Sequence, residues 1–171
     1  MNLTFSHTVC VVLLTVSTVW DVFARRIPNG ITIPAISGAI VFHGCYHGWL
    51  SGGWTAAAGC AVGGGLLLLP FAMGGIGGGD VKLMAALGAW LGGAAVVNVF
   101  IYSAWAGALW SLAVMIGDRS LIRRLRRIRQ ELTLSGTTGR LQLNMDKPLG
   151  IPYALPMAIG YLVFATYGPL V

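Results

Sequence analysis

Charge is the scarcest commodity in this chain of 171 residues: only 9% of its side chains are charged, 11 Lys and Arg against 5 Asp and Glu. A soluble domain carries ~25%, and so few charges cannot dress the surface of a water-soluble globule of this size. The same scarcity excludes a disordered tail. The net charge of +6 would point to nucleic acid only if it lay on a soluble face, so no nucleic-acid partner is expected. Cysteine is scarce as well. Cys10, Cys45 and Cys60 form no CxxC pair, which excludes a zinc knuckle or a disulfide framework; three buried thiols are the simplest reading. No Lys or Arg precedes the first apolar run, and Arg25-Arg26 follows it. That is the reverse of a cleavable signal layout, so the first segment is expected to stay in the protein.

What is present is apolar: 56% hydrophobic side chains and 25 glycines. Stretches near the ~17–25 residues that cross a bilayer fall at about Leu3–Phe23, Ile31–Trp49, Trp54–Met73, Val81–Ala95, Val96–Gly117 and Ile151–Val171. Gly92-Gly93 is the expected break between the fourth and fifth. The glycines are dense in GGG at 63–65 and GGIGGG at 74–79, where small residues let membrane helices approach closely. Six spans put the loops around 24–30, 74–80 and 118–150 on one side, and all 11 Lys and Arg lie in or beside them. By the positive-inside rule that side is cytoplasmic. The predicted fold is an all-α integral membrane protein: one domain over residues 1–171, six transmembrane helices, both termini away from the cytoplasm. A cytoplasmic loop over about 118–150 separates helices five and six. In it Leu121, Ile122, Leu125, Ile128 and Leu132 recur at helical spacing among arginines, after Asp118 as a plausible N-cap. This predicts an amphipathic basic helix on the anionic inner leaflet; a solvated basic linker is the plainer alternative.

Of the five carboxylates, Asp118, Glu131 and Asp146 fall in the polar loop, while Asp21 and Asp80 fall at the ends of apolar segments. An ionisable group at such a depth costs ~2.5–3.5 kcal/mol or more and reads as functional by default. The topology puts both near the cytoplasmic boundary, where side chains of two helices can converge. Two close carboxyls cannot both ionise cheaply, so they share a proton; one then serves as base on a water while the other polarises a peptide carbonyl. That chemistry is aspartic proteolysis, and it needs no metal or cofactor. The plainer alternatives are an N-cap role for Asp80 and an ion pair of Asp21 with Arg25. Gly77, Gly78 and Gly79 leave room beside Asp80 for an extended peptide. Arg25, Arg26 and Lys82 are foremost interface anchors, with a possible substrate or electrostatic role.

Gly77-Gly78-Gly79-Asp80-Val81-Lys82-Leu83 resembles the GxGD motif of the type IV prepilin peptidases, intramembrane aspartic proteases that trim leader peptides from pilin precursors. Asp21-Val22-Phe23-Ala24-Arg25-Arg26-Ile27-Pro28-Asn29 resembles that family's other catalytic segment, and Ile151-Pro152-Tyr153-Ala154 its last-helix Pro-Tyr element. The resemblance implies Asp21 and Asp80 as the catalytic pair, a prepilin or pseudopilin precursor as substrate, cleavage after a Gly at the cytoplasmic face, and the bacterial inner membrane as location. Long members carry an N-methyltransferase region with two CxxC pairs; the chain is more similar to the short peptidase-only branch of tight-adherence (Flp-type) pili, which implies no methylation.

Two other readings compete. A small proton- or ion-coupled transporter or channel subunit could relay protons through Asp21 and Asp80, but such groups usually sit at the midplane of repeated halves, and no repeat is visible. His43-Gly44-Cys45-Tyr46-His47 offers two His at i,i+4; Gly44 and Gly48 are expected to weaken the helix that would align them, so no metal site is assigned.

Overall fold

The structure, a computed structural model, describes residues 2–24, 27–117 and 153–170. Among these it holds six helices: α1 (Asn2–Ala24), α2 (Asn29–His47), α3 (Trp49–Ala72), α4 (Gly78–Leu91), α5 (Gly93–Gly117) and α6 (Ala154–Tyr167). Uncharged apolar runs become helices because, away from water, the backbone must satisfy its own N–H and C=O groups within the segment. Thr4–Ala24, Trp49–Ala72 and Gly93–Ala113 are long and apolar enough to cross a membrane. Large apolar side chains such as Val19, Leu68 and Trp105 point outward, each about half exposed or more, a surface suited to lipid. The basic helix expected at Arg119–Leu132, the rest of the loop over about 118–150, and Arg25 and Arg26 lie outside the described residues.

Met1–Gly107 and Ile151–Val171 form one compact unit and Ala108–Gly150 a second, of which the last turns of α5 are described. Two boundaries depart from expectation. No loop forms at 50–53. Gly48 alone, at φ 85°, joins α2 to α3, and the Gly52 N–H closes onto its carbonyl at 2.8 Å. A residue without Cβ takes that left-handed conformation freely. The break at Gly92 falls where expected, but α5 starts at Gly93 and takes in Ala94 and Ala95, which were assigned to the fourth span.

In the first unit α4 is the central helix: every residue from Leu83 to Trp90 is buried. α3 buries one helical face carrying Gly52, Ala56, Gly59, Gly63 and Leu67; Gly52 meets the His43 carbonyl of α2, and Gly59 and Gly63 meet α4. At the crossing, a Cβ on Gly59 would collide with the Gly88 carbonyl and one on Gly88 with the Gly59 carbonyl; Gly63 is pressed likewise on the Met84 carbonyl. The backbones therefore touch directly, the close approach that small residues permit in membrane helices. α2 is tied to α4 where the Trp90 indole N–H donates to the Ala35 carbonyl at 2.9 Å. α1 turns inward the face carrying Cys10, Leu13, Leu14, Ser17 and Asp21.

Candidate active site

The local chain geometry puts both aspartates at helix ends. α3 stops beyond Pro70, whose carbonyl takes the Gly75 N–H at 3.0 Å, and Gly74 turns the chain at φ 76°. Gly77 then caps α4, and Asp80, the third residue of the helix, reaches back so that the Gly77 N–H donates to its Oδ2 at 3.3 Å. The cap position itself belongs to Gly77, not to Asp80. A carboxylate in the first turn also suits the helix dipole. The glycine run is thus turn as far as Gly77 and helix from Gly78, since Gly78 and Gly79 open α4. Gly79 has a specific reason to lack a side chain: a Cβ there would come within 3.0 Å of the Ile27 Cβ and 3.1 Å of the Ile27 nitrogen. That close approach lays the segment after Asp21 against the start of α4.

Asp21 lies in the last turn of α1 and is 6% exposed; Asp80 is 9% exposed. The backbone N–H of Ala154, the first residue of α6, acts electrostatically on the Asp21 carboxyl. One turn earlier the Thr18 hydroxyl donates to the Ala154 carbonyl at 3.4 Å, which ties α1 to the start of α6. The charge of Asp21 acts on the Asp80 carboxyl, and that of Asp80 reaches Tyr153. α1, α4 and the start of α6 thereby bring together the two aspartates and the Tyr153-Ala154 element. Lys82 is exposed and donates from Nζ to Asn29 Oδ1 at 2.8 Å, a second tie between the two segments beside that of Ile27 with Gly79. Chemically, two buried carboxyls within electrostatic reach favour a state in which one holds a proton and the other does not.

Thr18 and the contact of Ile27 with Gly79 were not singled out in the sequence. Thr18 had a legible signal, a hydroxyl one turn from Asp21 in an apolar run. The meeting of Ile27 with Gly79 had none, because local spacing does not fix a contact between residues so far apart in the chain.

The histidine pair departs from expectation. α2 runs unbroken through Gly44 to His47, and the His43 and His47 rings stack with centroids 5.8 Å apart. Gly44 is tolerated because the Trp49 ring packs on it. His7 joins them in lining a cavity of about 310 Å³. It is 14 residues before Asp21 on α1, ~21 Å at 1.5 Å per residue. Among the described residues no group of three His, Cys, Asp or Glu is placed to hold a metal ion.

Fold and site together define an apolar, membrane-type helical protein with two buried acids drawn together from separate helices. The model of the type IV leader peptidase family matches residues 8–112, a stretch containing both aspartates, Ile27, Asn29 and the glycine run. The chain belongs to that family of proteases. No curated protein and no solved structure gives a significant match.

Proposed function

We propose that this chain is an intramembrane aspartic endopeptidase, with Asp21 and Asp80 as its catalytic pair, that removes the leader peptide of prepilin-like precursors. The observation that carries the reading is the burial of these two acids, from α1 and α4, within electrostatic reach of each other. In the reaction the ionised carboxylate takes a proton from water as the water oxygen bonds to the scissile carbonyl carbon. The protonated carboxyl gives its proton to the carbonyl oxygen. Collapse of the tetrahedral intermediate breaks the C–N bond, and the leaving nitrogen takes a proton from the pair. The pair titrates as a unit, so neither aspartate owns one role.

The charge pattern supports six membrane crossings, with the aspartates at the cytoplasmic interface of the bacterial inner membrane and the termini on the far side. A prepilin leader is short and polar and is followed by a hydrophobic helix, so its scissile bond lies at that same depth. Arg25, Arg26 and Lys82 anchor that interface. The resemblance to the Flp-type branch is the ground for expecting leader removal without methylation.

The test is the intact mass of a candidate prepilin expressed with and without this chain. The expected result is loss of the leader mass only when the chain is present, with no methyl group added to the new N-terminus. An unchanged mass with the chain inserted and abundant would count against the reading.

A further inference from the structure

Among the described residues three buried side-chain oxygens have no hydrogen-bond partner: Ser17 Oγ, Asp21 Oδ2 and Thr32 Oγ1. Their placement is not scattered. Ser17 precedes Asp21 by four residues on the inward face of α1. Thr32 is the fourth residue of α2, Asp21 the fourth from the end of α1, and the two helices are in contact. Counted from the connection between these helices, Thr32 and Asp21 stand at matching depth.

The hydroxyls are unusual in a second respect. A helical Ser or Thr can satisfy itself by donating to the carbonyl four residues back. Thr8, Thr15, Ser37, Thr55, Ser103 and Thr166 all do so in this chain. Ser17, one turn from Asp21, and Thr32, on the neighbouring α2, are 0% and 1% exposed and forgo that ready partner, while Asp21 also keeps one oxygen free. Buried polar groups of this kind are ordinarily satisfied by ordered water.

We propose that Ser17, Thr32 and the free oxygen of Asp21 hold ordered water beside the carboxyl pair. Ser17 and Thr32 act as positioning residues: they hold the hydrolytic water in a fixed place at the carboxylate. The inference rests on Asp21 and Asp80 being the catalytic pair. Hydrogen bonds from two hydroxyls orient the water oxygen while its proton faces Asp21.

The experiment uses the purified full chain in detergent micelles and a synthetic prepilin-type peptide, with kcat, KM and thermal midpoint measured for Ser17→Ala, Thr32→Val and Thr32→Ser. Loss of either hydroxyl is expected to lower kcat roughly tenfold, about the worth of one hydrogen bond, with KM little changed. Thr32→Ser, which keeps the hydroxyl, is expected to retain wild-type kcat. The thermal midpoint of Ser17→Ala and Thr32→Val should stay near wild type, because each hydroxyl bonds water and no other part of the fold. Unchanged kcat in both, or a fall in kcat that tracks a falling midpoint, overturns the proposal. A wild-type chain that fails to cleave counts against the endopeptidase reading itself. The water is then judged separately by a high-resolution experimental structure: oxygen density bonded to Ser17, Asp21 and Thr32 supports it, and a dry contact there overturns it.

Discussion

Asp21→Asn and Asp80→Asn are each expected to lower prepilin cleavage by about 10³-fold or more, to the level of a sample without the chain. Acid–base catalysis by a positioned side chain is worth ~10²–10⁴, and members of a unit fail together, so either loss disables both. Asparagine is the informative replacement because it removes the titrating oxygen and keeps an acceptor. The Gly77 N–H that donates to Asp80 would still find an acceptor, so the start of α4 survives. The check is cleavage in membranes together with the amount and thermal unfolding of each variant. Wild-type-like cleavage by either would remove the catalytic role of that carboxyl.

The second large effect concerns the fold that holds Asp80 in place. Gly88→Leu puts a branched side chain where even a Cβ collides with the Gly59 carbonyl. Neither backbone can yield without parting α3 from α4. Overpacking a well-filled interior costs ~1–3 kcal/mol when side chains can adjust, and here the obstacle is main chain, so a loss of at least ~3 kcal/mol is expected. Gly65→Ala is the control: nothing lies within 4 Å of the added Cβ, and alanine favours the helix by up to ~1 kcal/mol. Thermal unfolding in detergent should show Gly88→Leu unfolded or strongly destabilised and Gly65→Ala level with wild type or above it. Equal stability of the two would mean that the seam through Gly59 and Gly88 does not hold α3 on α4.

The helix order was legible in the sequence because apolar run length and glycine punctuation are local properties. The break at Gly92 and the placing of Asp21 and Asp80 at helix ends followed from them. What local spacing could not supply was rotation about each helix axis. Whether residue 79 faces Ile27, or Lys82 faces Asn29, depends on how helices pack after they form. The gap expected between the second and third spans is absent for a different reason: a single left-handed glycine, Gly48, replaces a loop, and sequence alone does not say which glycine will. Gly44 was judged a helix breaker by intrinsic propensity, which the packing of Trp49 against it overrides. The site was half legible. Its acids stood out by their rarity, whereas the hydroxyls of Ser17 and Thr32 looked like ordinary members of apolar helices.

Cross-linking measures the meeting of the two acids most directly. With Cys10, Cys45 and Cys60 replaced by alanine, Asp21→Cys and Asp80→Cys are combined in one chain and treated in native membranes with a short bifunctional thiol reagent. Mass spectrometry of the digest should find residues 21 and 80 bridged, while Asp21→Cys combined with Leu91→Cys, at the far end of α4, stays unbridged. Absence of the bridge between 21 and 80 in folded protein, or equal bridging to 91, would contradict a shared carboxyl site.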